Sequence, residues 1–162
     1  PTSGKEGYIE ATIEGKVLKA TEASDPLMNV TYAQFFLYKD LVPNLYSCIA
    51  MGYTNILSPG YVSFSFTFRD ENALKQTSYN FTDGLKFQCN IAAKNTSGTT
   101  DYYITSFSPD NPSASAKVTI THFTNKPGEY LEGTFSINNA VYKNTSNIPI
   151  SLTNGKFKVK VN

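Results

Sequence analysis

The chain has 162 residues, the length of one domain able to bury a substantial core without metals or disulfides. Charged residues make up 17% of it, against about 25% in ordinary soluble proteins, and 15 Asn, 15 Ser and 18 Thr build a solvent face of amides and hydroxyls. A formal net charge of +1 supplies no field for a polyanion, so nucleic acid is not an expected partner, and no run of 18 apolar residues is present to span a bilayer.

The 11 Tyr and 11 Phe, together with Thr, Val and Ile, favour half-buried pleated strands over helices. Pro1 to Gly7 is expected to be a flexible lead-in of a mature chain, and residues 8–162 a single β domain. In GYIEATIEGKVLKA, Ile9, Ala11 and Ile13 alternate with Glu10, Thr12 and Glu14, and Gly15 marks a turn into a second strand around Val17, which predicts an N-terminal hairpin. Glu22 to Asn29, with Asp25-Pro26, reads as a loop. Val30 to Tyr38 fits a strand or an amphipathic helix, with its β-branched and aromatic content favouring the strand, Leu45 to Tyr53 reads as a strand, and a loop ending at Ser58-Pro59-Gly60 follows. In YVSFSFTFR, Val62, Phe64, Phe66 and Phe68 share one face and Ser63, Ser65, Thr67 and Arg69 the other, the pattern of an antiparallel strand packed on one side only. Asp70 to Thr77 has a capping Asp and predicts a helical turn.

Further strands are expected at Leu85 to Ala93, Asp101 to Phe107, Ala116 to Phe123, Tyr130 to Asn138, Ile148 to Leu152 and Lys156 to Val161. Breaks at these short intervals predict an antiparallel β-sandwich of about ten strands, with a closed, calycin-like barrel as the alternative. Asn154-Gly155 is a strong type I′ signal and predicts a terminal hairpin. Phe157, Val159 and Val161 then face the core, while Lys156, Lys158 and Lys160 stand in solvent and guard an edge strand against pairing with a neighbour.

Both ends of the chain resemble a group of small exported β-proteins, mostly lipid-anchored cell-surface lipoproteins of anaerobic gut bacteria, whose function is uncharacterised. The likeness lies in ATIEGKVLKA (Ala11 to Ala20), VTITHF (Val118 to Phe123), YLEGTFS (Tyr130 to Ser136) and the closing ISLTNGKFKV, in that order. It covers about a third of the chain and leaves Asn29 to Tyr103 outside it. The resemblance implies a periplasm-facing or cell-surface location at the outer membrane, with a lipid anchor upstream of Pro1, and it implies no activity. Gly133, between inward Leu131 and Phe135, marks a bulge or a close-packed aromatic.

Chemistry is sparse. His122, the single histidine, shares a face with Val118 and Ile120 and reads as a packed or rim residue. Asp25, Asp40, Asp83 and Asp110 fall in turns and Glu10, Glu14 and Glu132 on outward strand positions, where solvation explains them better than paired-carboxylate catalysis. Asp70-Glu71-Asn72 reads as a helix start before a calcium site, so no metal and no cofactor is expected. Cys48 and Cys89 lie in strands without a CxxC or Cys/His cluster, and either one disulfide or two free buried thiols fits them. The sequons at Asn29, Asn80, Asn95 and Asn144 are no more than this Asn, Ser and Thr content gives by chance. Tyr53 and Tyr61 flank the Pro59-Gly60 loop, and a period of two sends Tyr102 and Tyr103 to opposite faces, so these four are the candidate ligand-binding residues. The expected function is a non-enzymatic extracytoplasmic surface module, a scaffold or protein-partner binding domain. The alternative is a domain that binds a glycan or small ligand through those tyrosines.

Overall fold

In a computed structural model, the residues described are 7–22, 30–38, 45–54, 61–71, 74, 77–80, 87–94, 100–104, 113–143 and 148–162. They form eleven strands: β1 (Tyr8–Ile13), β2 (Lys16–Thr21), β3 (Val30–Tyr38), β4 (Leu45–Tyr53), β5 (Val62–Glu71), β6 (Ser78–Asn80), β7 (Phe87–Lys94), β8 (Thr100–Ile104), β9 (Ser115–His122), β10 (Tyr130–Lys143) and β11 (Pro149–Lys160). Every pairing is antiparallel. Strands β2-β1-β11-β10-β9-β6 make one layer and β5-β4-β3 the heart of the facing one, while β8 and β7 carry the hydrogen-bonded path from the C-terminal part of β10 round to β5. The path ends at β2 and β3 without closing on itself, so the fold is the expected sandwich and not the alternative barrel.

Alternation builds the core. Phe64, Phe66 and Phe68 of β5 are fully buried, and their rings meet the opposite layer: Phe66 lies 4.5 Å from Phe135 and 6.2 Å from Phe157, and Phe68 lies 5.2 Å from Tyr79, between ring centroids. Ile9, Ala11 and Ile13 of β1 join the same cluster, as do Leu131, Ile137, Val159 and Val161. The predicted N-terminal hairpin is present, with Glu14 at φ 45° and Gly15 at φ 77° as its central residues.

Two expectations fail, for related reasons. Asn154-Gly155 is no hairpin: β11 runs unbroken from Pro149 to Lys160, between β1 and β10. Here Asn154 and Gly155 together oppose the single residue Ala11 of β1, a bulge in which only Asn154 takes the left-handed region, at φ 53°. That extra residue shifts the alternation, so Leu152 before it and Phe157, Val159 and Val161 after it all point inward. The lysines therefore face solvent as expected, but from an internal strand and not an edge.

The helical turn at Asp70 is the second failure. Asp70 and Glu71 continue β5, paired with Tyr46 and Leu45. Asp70 follows Phe68 on the inward side, where the Tyr79 hydroxyl donates to its Oδ2 at 3.0 Å in place of a helix backbone. Residues 72, 73, 75 and 76 of that prediction lie outside the described set, as do the expected lead-in through Glu6, the Asp25-Pro26 and Ser58-Pro59-Gly60 loops, Asp40, Asp83 and Asp110, and three of the sequons.

A second left-handed asparagine, Asn139 at φ 51°, sits where β10 changes partner. Up to Asn138 the strand pairs with β9, and from Val141 it pairs with β8. The Asn139 amide donates to Ser151 Oγ at 3.1 Å, and its side chain to the Ser113 carbonyl at 3.4 Å, holding the corner through which the sheet turns from one layer to the other.

Candidate functional site

Direct cross-strand partners share one face of a sheet, so register alone assembles rows of side chains. One row runs Val30, Tyr53, Ser63, Ala92, Tyr103, Tyr142 and Pro149, across β3, β4, β5, β7, β8, β10 and β11. Inward Val62, Ala93 and Val141 are buried, which sets Ser63, Ala92 and Tyr142 outward, and all three are half-buried, as is Tyr53. At about 4.8 Å per strand, Tyr53 and Tyr142 stand about 19 Å apart along the sheet.

Of the four tyrosines singled out from sequence, the row joins two by register, Tyr53 and Tyr103. Tyr61 is half-buried one residue before β5, and beside it the Val62 N–H donates to Thr54 Oγ1 and the Thr54 N–H to the Val62 carbonyl, both at 2.9 Å. Tyr102 pairs with Ala93 and Lys143, in the neighbouring row. The side chains of Tyr102 and Tyr103 lie outside the described residues. Ser63, Ala92 and Tyr142 were not singled out, and Tyr142 falls beyond the predicted end of its strand at Asn138.

Behind this row the same surface carries Met51, Ser65 and Asn90, then Ile49, Thr67 and Gln88. These side chains are uncharged. Arg69 begins the charged part of the face, with its Nη2 donating to Gln88 Oε1 at 3.4 Å.

The outer face of the six-stranded layer differs. Lys19 meets Glu10 at 3.0 Å, Lys158 meets Glu132 at 3.8 Å, and Lys160 meets Glu22 at 3.8 Å. Lys19 and Lys158 also lie over the rings of Tyr8 and Tyr130, at 5.1 and 5.0 Å. Glu22 is a hub, accepting from the Gly7 amide at 2.9 Å and the Tyr130 hydroxyl at 3.1 Å. Lys158 and Lys160 of the lysine strip are thus tied into the sheet's own carboxylates, and Lys158 to a ring as well.

His122 is exposed at the end of β9, opposite Glu132. Glu129, nearby, is held below the usual carboxylate range by the hydrogen bond from Thr124 and by the positive fields of Lys126 and His122. Both cysteines are free and buried. Cys48 pairs with Phe68 and Cys89 with Phe66, on opposite sides of β5, so two strand spacings, about 9.5 Å, exceed the roughly 7 Å a disulfide allows. Burial pushes the Cys89 thiol up to about 12, and that of Cys48 higher still. Among the described residues no three His, Cys, Asp or Glu side chains are grouped as a metal site, and no helix is long and apolar enough to cross a membrane.

No protein-family model matches the chain, and no curated protein or solved structure is matched by it.

Proposed function

We propose that the chain is a non-enzymatic module displayed outside the cytoplasm, which holds a macromolecular partner on an outer sheet face and acts as a scaffold for it. The filled interior carries this reading. Rings from both layers interlock in the core, and the glycines there, Gly133 and Gly155, leave less than a methyl group of room, so recognition falls to the outside. The extracytoplasmic location and the upstream lipid anchor rest on the resemblance of the two terminal segments. Gly133 and Phe157, within those segments, belong to the packing of the fold and point to no reaction.

Two measurements test this. Labelling intact cells with a membrane-impermeant biotin reagent is expected to modify the protein; modification only after lysis removes the location. Photo-reactive side chains placed at the outward positions Asn90, Ala92 and Lys156 are expected to give a discrete adduct from at least one. No adduct from any of them in the cell envelope removes the partner.

A further inference from the structure

The two outer faces of the sandwich present opposite chemistries, and the difference identifies a ligand class. On the six-stranded layer, side-chain charges are interleaved and matched, Lys19 with Glu10 and Lys158 with Glu132. On the surface of β4, β5 and β7, three successive rows carry hydroxyls, amides, Ala92, Tyr53 and, on β4, the apolar Met51 and Ile49, with no ion among them.

We propose that this uncharged strip binds a neutral glycan chain, with Tyr53 and Tyr142 stacking on the C–H faces of sugar rings and Ser63, Ser65 and Asn90 exchanging hydrogen bonds with sugar hydroxyls. A pyranose offers apolar C–H patches on its faces and donors and acceptors round its rim, so it needs an aromatic platform beside side chains that both give and take hydrogen bonds. The row supplies both, with small Ser63 and Ala92 next to Tyr53, and Tyr103 following them in register before Tyr142. The Tyr53 to Tyr142 span of about 19 Å along the sheet suits an oligosaccharide better than a single sugar. Competing occupants fit less well. A polyanion requires clustered Lys or Arg, and the three rows themselves carry neither; Arg69 of β5 and Lys94 of β7 are each two residues beyond the strip, at its opposite ends. A protein hot spot is built round a desolvated aromatic or Arg centre, whereas the middle of this surface is Ser63, Ser65 and Thr67, and the chain has no Trp.

This inference rests on the outer-face reading above, and its test separates the two. Native affinity electrophoresis is run through soluble starch, mixed-linkage β-glucan, xyloglucan and galactomannan, with polygalacturonate and heparin as acidic probes. At least one neutral polysaccharide is expected to retard the protein equally at 50 and 500 mM salt. Retardation is expected to weaken 10-fold or more in Tyr53→Ala, Tyr142→Ala and Ala92→Arg, to persist in Tyr53→Phe, and to be unchanged in Lys156→Gln on the opposite layer, each variant checked for native circular dichroism. The proposal is overturned by mobility unchanged in all four neutral polymers, by retardation that survives Ala92→Arg in folded protein, or by salt-sensitive retardation in the acidic polymers only. Where photo-adducts form while the neutral polymers leave mobility unchanged, the glycan is excluded and the scaffold reading stands.

Discussion

Gly133 on β10 and Phe157 on β11 are direct cross-strand partners, and the Phe157 ring occupies the space that a side chain at 133 would need. A Cβ there would lie 2.3 Å from the ring's Cζ and 2.5 Å from the Thr119 carbonyl oxygen. Two residues on, the arrangement is reversed, with Phe135 on β10 opposite Gly155 on β11 and 2.3 Å between its carbonyl oxygen and a Cβ at 155. Both rings then meet Phe66 of the facing layer. Gly133→Ala is expected to cost about 2–3 kcal/mol, because backbone as well as ring must move, and Phe157→Ala about 3–5 kcal/mol through the cavity it leaves. Since one ring accounts for much of both effects, the double variant is expected to lose less than the sum, by about 1 kcal/mol or more. Urea midpoints of the three variants measure the coupling; strict additivity would show that the pair does not act as a unit.

Asn154 and Asn139 both hold left-handed backbone within strands, one at the bulge of β11 and one at the corner of β10. A β-branched residue pays the full steric cost of that conformation, so Asn154→Val is expected to destabilise by about 1–2 kcal/mol, while Asn154→Gly stays within about 0.5 kcal/mol of the parent. Chemical denaturation compares the two. Equal losses would mean that the Asn154 side chain, and not its φ, is what the bulge requires.

These asparagines also mark the limit of what could be read from sequence. The inward sets, Phe64, Phe66 and Phe68 on β5 and Phe157, Val159 and Val161 on β11, were legible because a period of two is a local property. The hairpin at Asn154-Gly155 was misread because tolerance for positive φ is shared by a turn, which uses it at two residues, and a bulge, which here uses it at one. Asp70 resembled a helix cap because its partner, the Tyr79 hydroxyl, comes from β6, a three-residue strand with too little pattern to detect. In the tyrosine row, Tyr53 and Tyr103 were picked out, but Ser63, Ala92 and Tyr142 join them only through the registers of β5 with β7 and β10 with β8. Such pairings depend on the whole chain's path and leave no mark in any short segment.

The buried thiols give stability a dependence on alkaline pH. An unfolded cysteine ionises near pH 8.5, whereas in the folded chain Cys89 holds its proton up to about 12 and Cys48 beyond that. The folded form is then the one that keeps protons, so this contribution is complete below pH 8.5 and is lost as pH rises toward 12. By pH 10 the loss amounts to about 2 kcal/mol per thiol. The fall in urea midpoint between pH 7.5 and pH 10 is expected to be shallower in a Cys48→Ala, Cys89→Ala double variant than in the parent. In native protein at pH 8, Ellman's reagent is expected to react only at the rate of unfolding, and to find two thiols once denaturant is added.

Two buried hydroxyls make opposite predictions. Tyr79 is fully buried, and its hydroxyl donates to Asp70, a carboxylate that is itself buried. Tyr79→Phe keeps the ring against Phe68 but takes a donor from that carboxylate, so a loss of about 1–3 kcal/mol is expected, at the upper end because the acceptor is an acid. Ser47 is as deeply buried on β4, yet among the described residues its Oγ has no hydrogen-bond partner. In Ser47→Ala the desolvated hydroxyl is gone and only a small void replaces it, so stability is expected to hold or to rise by about 1 kcal/mol. Both are read from urea midpoints at pH 7. A Ser47→Ala loss comparable to that of Tyr79→Phe would mean that the Ser47 hydroxyl is bonded in solution, and would place a donor or acceptor against the outward side of β4 beside Arg69.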